Sequence, residues 1–226
     1  ATLDDQQKKR WDGELRTLLA SASELKPESG SMSNADLLKA IGASETHPEG
    51  LFAPDTYVYD LGTSDLDVLR QAYRRQMKLL QDAWETRAPG LPYKSPYEAL
   101  IMASIIEKET GQPSERDMIA GVFVNRLKLG MLLQTDPTII YGLGEKFDGN
   151  LRKRDLQTDT PWNTYTRPGL PPTPIAMPGK AALLAAVQPE ATRALYFVAK
   201  GDGSSHFSAS LEEHNRAVNR YQRGQQ

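Results

Sequence analysis

The stretch from Ser95 to Gly111 constrains this chain more than any other, because it specifies a helix with both ends marked. Ser95 is placed to cap it and Pro96 suits the first turn. Glu98 follows the serine by three residues and completes a capping box, and Gly111 stops the helix. The middle, Ala99 to Ile106, is the longest apolar stretch in the chain, far short of the roughly 20 residues that span a membrane.

Two carboxylates close this helix, Glu107 and Glu109. At about 100° per residue, with Glu109 at the origin, Ile105 falls near about −40°, Met102 near about +20° and Ile106 near about +60°. Glu107 falls near about 160°, on the opposite side. The pair therefore does not form a dyad: Glu109 points where the core points, and Glu107 points away. Glu109 also occupies the last turn, where the negative end of the helix dipole disfavours an ionised carboxylate. Burial acts in the same direction, and a glutamic acid that keeps its proton near neutral pH can serve as a general acid. On spacing alone, a glutamate at a helix end more often turns its head to solvent, so both readings stand at this point.

Other elements follow from punctuation and periodicity. Weak helices are expected over Gln6–Ala20 and Asn34–Ile41. A break at Pro48-Glu49-Gly50 marks the entry to the main domain, so residues 1–49 and 50–226 are expected to be separate units. Leu66, Leu69, Tyr73, Met77, Leu80 and Trp84 form one stripe of a helix over Asp65–Thr86, with Ser64 as its cap and Asp67 three residues on. A further helix is expected over Glu115–Leu129, capped by Ser114 and ended by Gly130. Asp136-Pro137 reads as a short turn, with Asp136 as an N-cap, and the chain after Gly144 reads as loop to Arg167. Pro178 opens a helix that ends before Pro189. Gly201-Asp202-Gly203 joins two short strands, and Ser210 with Glu213 starts a last helix to about Gln222. The fold class is α+β, mainly helical with a small β element.

Composition narrows the chemistry. A net charge of −2 over 226 residues leaves no basic footprint for nucleic acid. The absence of cysteine excludes disulfides, thiol catalysis and thiolate metal sites. His47, His206 and His214 form no H-E-x-x-H metal pattern, and neither a glycine-rich phosphate loop nor a G-x-S-x-G elbow occurs. The chain opens on Ala1, which leads us to expect a soluble fragment of a longer, anchored protein.

The stretch Ala103-Ser104-Ile105-Ile106-Glu107-Lys108-Glu109-Thr110 resembles the signature of the YceG-like (MltG-type) endolytic murein transglycosylases. The resemblance continues through Ser114-Glu115-Arg116-Asp117, Val122-Phe123-Val124-Asn125-Arg126-Leu127 and Leu133-Gln134-Thr135-Asp136-Pro137-Thr138. Ile140-Tyr141-Gly142, Asn163-Thr164-Tyr165, Gly169-Leu170-Pro171-Pro172 and Tyr196-Phe197-Val198-Ala199 carry it further, as do His206-Phe207 and the upstream Gly50 to Tyr57.

This resemblance implies a lysozyme-like transglycosylase domain, with residues 1–49 as part of an N-terminal LysM-like subdomain. It implies a catalytic part on the periplasmic face of the bacterial inner membrane, in a full-length protein held there by an anchor. Peptidoglycan glycan strands are the implied substrate, and penicillin-binding synthases the implied partners. Glu109 is then the catalytic acid, cutting between N-acetylmuramic acid and N-acetylglucosamine and leaving 1,6-anhydro ends, with neither metal nor organic cofactor. Gln134, Asn163 and Tyr165 become candidates for the sugar-lining surface, because amides and phenols hydrogen-bond hydroxyl and N-acetyl groups. Glu107, Asn125 and Arg126 are supporting residues, while Ser104 and Thr164 have no assigned role. Two rival readings remain at this stage. One is a hydrolytic muramidase in which Asp136, Asp155 or Asp159 activates water, and the other is a non-catalytic peptidoglycan-binding module.

Overall fold

The computed structural model describes residues 10–11 and 15–223. Its longer helices are α2 (Asn34–Ile41), α3 (Asp65–Glu85), α4 (Pro96–Glu109), α5 (Arg116–Lys128), α6 (Asp136–Leu143), α8 (Lys180–Val187) and α9 (Leu211–Val218). Shorter turns of helix are α1 (Arg16–Ser21) and α7 (Lys153–Gln157). Strands β1 (Tyr196–Ala199) and β2 (Ser205–Ser208) form an antiparallel hairpin in which Phe197 faces Phe207. The fold is α+β.

α4 is the axis of the molecule. Every residue from Ala99 to Ile106 is buried, and the helix packs against α3, α5, α6 and α8. Fully enclosing side chains such as Met102, Ile105 and Ile106 contributes about 2 kcal/mol each. Ser104, the polar member of this run, is neutralised on both sides: its hydroxyl donates to the Ile101 carbonyl at 2.6 Å and accepts from the Ile175 N–H at 2.9 Å. α2 joins the same core through Leu37, Leu38 and Ile41, and Trp11 packs on Phe52 with ring centroids 5.1 Å apart.

Buried Gln76 on α3 draws two remote segments together, its side-chain N–H groups donating to the carbonyls of Gly50 (3.1 Å) and Pro178 (3.0 Å). Gly50 has φ +83°, and a Cβ there would stand 2.5 Å from the Pro174 ring, so only glycine fits the turn.

The marked helix ends differ from expectation in detail. Ser95 accepts from the Glu98 N–H at 3.3 Å, while the Glu98 carboxylate accepts from the Lys94 N–H (2.7 Å) rather than closing back on Ser95. Ser64 caps α3 by accepting from the Leu66 N–H at 3.2 Å, but Asp67 pairs with Arg70 instead of completing a box. Ser114 lies inside a 3₁₀ turn (Pro113–Glu115) that runs directly into α5, so it caps nothing. A real helix, α6, replaces the turn expected at Asp136-Pro137. Thr135 is its N-cap residue and Asp136 its first residue, which corrects the capping role given to Asp136. α7 interrupts the stretch read as loop after Gly144. The helix expected over Gln6–Ala20 falls partly outside the described residues. No helix among the described residues is long and apolar enough to cross a membrane.

Candidate active site

α4 ends at Glu109, where Thr110 turns to extended backbone (φ −78°, ψ 102°) while its N–H (3.0 Å) and hydroxyl (2.6 Å) both donate to the Ile106 carbonyl. Glu109 therefore stands at the negative end of a helix whose middle is fully buried, and its side chain lines an open groove of about 420 Å³. Phe123 and Arg126 of α5, Leu133, Gln134 and Asp136 at the start of α6, and Tyr165 line that groove. Its far wall is Tyr196 and Phe197 of β1 with Leu211, His214 and Asn215 of α9.

Burial pushes the Glu109 carboxyl above the ordinary carboxylate range. The Thr135 hydroxyl, which donates to Oε1, pulls the other way, and the negative charge of Asp136 adds to the rise. The Tyr165 hydroxyl donates to Asp136 Oδ1 at 2.7 Å. Burial, with the hydrogen bond and charge of Asp136 behind it, pushes the Tyr165 phenol up, so it stays a donor through the physiological range. Arg126 is held on three backbone carbonyls, Leu195 (2.7 Å), Leu132 (3.1 Å) and Leu133 (2.9 Å), and its guanidinium lies 5.0 Å from the Tyr196 ring centre. Its cation is thereby fixed in the groove lining. His214 stacks on Tyr196 at 5.2 Å, and burial together with the charge of Arg126 lowers its pKa, leaving it neutral near pH 7.

Of the residues singled out by sequence, Glu109, Gln134 and Tyr165 come together in the groove. Asn163 does not. It is fully buried, its side-chain N–H groups donating to the carbonyls of Leu156 (3.1 Å) and Thr158 (2.6 Å). Its side-chain oxygen accepts from the N–H groups of Tyr165 (2.8 Å) and Thr166 (3.3 Å). Both polar atoms of this amide are engaged by backbone of α7 and the segment after it, so Asn163 braces the turn that carries Tyr165 and does not line the groove.

Glu107 turns away from the groove, as its helical angle requires, and accepts from the Gly179 N–H at 3.0 Å ahead of α8. Asn125 donates to the carbonyls of Thr192 (2.8 Å) and Ala194 (3.1 Å), fixing the approach to β1. Asp155 accepts from the Arg152 N–H at 2.8 Å, and Asp159 pairs with Arg167 at 2.9 Å; neither lines the groove. Among the described residues, no group of three or more His, Asp or Glu side chains is gathered closely enough to hold a metal ion.

Sequence reasoning missed Thr135 and the wall made by β1 and α9. One local signal marks the first: Gln134, immediately before Thr135, has φ +50°, the only non-glycine with positive φ among the described residues. Such strain in a groove-lining residue is common at functional sites.

The model of the YceG-like family matches residues 6–220. The endolytic murein transglycosylase of Bacillus subtilis (strain 168) is 40% identical over 176 residues, covering 77% of this chain and 48% of that protein. Its counterpart in Streptococcus pneumoniae (serotype 2, strain D39) is 31% identical, covering 75% of this chain and 31% of that protein. The chain thus spans about half or less of the length of these relatives. A crystal structure of a YceG-like protein from Listeria monocytogenes superposes with a TM-score of 0.65 at 34% identity, covering 94% of this chain and 66% of that one. With a family model spanning nearly its whole length and relatives above 30% identity, the chain belongs to the YceG-like family.

Proposed function

We propose that this chain carries the catalytic unit of an endolytic murein transglycosylase, with Glu109 as its single acid and base. The observation that carries this reading is the place of the Glu109 carboxyl, at the end of α4 in the lining of an open groove, where burial raises its pKa. The names of the relatives from Bacillus and Streptococcus support it. The substrate is the bond between N-acetylmuramic acid and N-acetylglucosamine in a peptidoglycan glycan strand.

Glu109 gives its proton to the glycosidic oxygen, and the bond from that oxygen to the anomeric carbon breaks. The 6-hydroxyl oxygen of the same muramic acid bonds to that carbon, and its proton passes to the Glu109 carboxylate. One strand leaves with a free N-acetylglucosamine end and the other with a 1,6-anhydro end. No water is consumed and no cofactor takes part, so one carboxyl suffices where most glycosidases use two. The tethered nucleophile avoids an entropic barrier of about 7 kcal/mol or more. Gln134 and Tyr165 hold the sugar by hydrogen bonds. Residues 1–49 supply part of a LysM-like unit. The full-length protein works from the periplasmic face of the inner membrane beside penicillin-binding synthases.

One observation favours a second reading. Asp136 lines the same groove as Glu109 and could activate water in a hydrolytic muramidase. Digestion of uncrosslinked glycan strands, followed by mass spectrometry of the new ends, separates the two. Termini lighter by one water support the lyase, and reducing muramyl ends alone support the hydrolase.

A further inference from the structure

Three threonines behind Glu109 form a closed hydrogen-bonded ring with only one arrangement of protons. The Thr138 hydroxyl donates to the Thr135 carbonyl at 2.7 Å, which uses its single proton. The 2.8 Å contact between the Thr138 and Thr164 hydroxyls must then be donated by Thr164. The Thr164 hydroxyl in turn accepts from the Thr135 N–H at 3.1 Å, and its carbonyl accepts from the Gln134 N–H at 3.2 Å. Thr135, Thr138 and Thr164 are all buried, so the ring excludes water and fixes the backbone of Thr135. The Thr135 hydroxyl takes no part in the ring. Its hydrogen bond goes to Glu109 Oε1.

We propose that Thr135 is a positioning residue that assigns the two oxygens of Glu109 different tasks, Oε1 anchored by the threonine hydroxyl and Oε2 left to carry the working proton. This rests on the reading of Glu109 as the acid. A proton on Oε1 would leave the Thr135 hydroxyl without an acceptor in a buried site, which is unfavourable. The same oxygen, Oε2, then releases the proton to the glycosidic oxygen and recovers one from the 6-hydroxyl. A residue that acts first as acid and then as base gains from a carboxyl that does not rotate between the two steps.

The charged and titratable groups that line the groove with Glu109 are Asp136 from α6, Arg126 from α5, Tyr165 from its loop, and Tyr196 and His214 from β1 and α9. None of these changes in a Thr135 variant. Removing the hydroxyl takes away a donor that favours the ionised carboxyl, so Glu109 should stay protonated to higher pH.

The test is the pH profile of strand cleavage for the parent, Thr135→Val and Thr135→Ser, with Glu109→Gln as control and thermal melts on each. Thr135→Val should lose roughly tenfold in kcat with little change in KM, and its basic limb should move to higher pH. Thr135→Ser should restore both the rate and the limb. If Thr135→Val does not fold, Thr135→Cys, whose thiol is a weak donor, carries the same comparison. A basic limb that stays in place, or a uniform loss that serine does not rescue, overturns the assignment of Thr135 while Glu109→Gln remains inactive. Cleavage by Glu109→Gln would instead overturn the proposed function on which this inference rests.

Discussion

The Tyr165 hydroxyl and the Asp136 carboxylate are joined at 2.7 Å in the lining of the groove that Glu109 shares. This pairing orients Asp136 and keeps a negative charge close enough to Glu109 to raise its pKa. Asp136→Asn removes the charge and keeps the shape. Glu109 should then lose its proton at lower pH, so the basic limb of the activity profile should move to lower pH while acid-side activity survives. Abolition of activity at every pH would make Asp136 a second catalytic carboxylate and favour the hydrolytic reading.

Asn163 shapes the site from behind. Asn163→Ala removes the side-chain partner of the Leu156 and Thr158 carbonyls and of the Tyr165 N–H in a part-buried segment. We expect a stability loss of about 3 kcal/mol, visible in thermal or urea melts, with turnover falling because Tyr165 loses its support. A variant as stable as the parent would contradict the bracing role.

Gln134 holds a left-handed backbone that glycine adopts without penalty. Gln134→Gly should match or exceed the parent in stability by up to about 1 kcal/mol. It should nevertheless cleave glycan strands at least about tenfold more slowly if, as proposed, the Gln134 side chain holds the sugar. Unchanged turnover would remove Gln134 from the site.

The centre of the site was legible in the sequence because helical spacing is rigid. The opposite directions of Glu107 and Glu109 follow from a 100° step, and the structure sends one to Gly179 and the other to the groove. The apolar arc itself said less than it seemed to, since α4 is buried all round from Ala99 to Ile106 and has no single inward face. α6 was read as a turn because Asp-Pro is common to turns and to the first turn of a helix. α7 is five residues with a single apolar member, Leu156, too short to carry a periodicity. Asn163 lies outside the groove lining, which spacing could not show because an amide serves a sugar and a backbone equally well. Thr135 reaches Glu109, and Tyr196 and His214 join the same groove, through tertiary packing, which local spacing does not encode.

The raised pKa of Glu109 also bears on stability. A carboxyl whose folded pKa lies above its unfolded value of about 4.3 contributes fully below that value, and its contribution is lost as pH rises toward the folded pKa. Glu109→Gln does not ionise and retains an oxygen for Thr135. It should be at least as stable as the parent at pH 7, and the two should differ less at pH 4. Paired melts at the two pH values check this. A variant clearly less stable at pH 7 would mean that Glu109 is an ionised structural partner.

The most direct measurement is cleavage of glycan strands in water enriched in heavy oxygen, comparing the parent with Glu109→Gln. The intramolecular reaction uses the 6-hydroxyl as nucleophile, so the parent should yield anhydro ends that carry no label from solvent. Glu109→Gln should yield no new ends, a loss of at least about a hundredfold for a general acid. Labelled muramyl ends from the parent, or continued cleavage by the variant, would contradict a single-carboxyl lyase centred on Glu109.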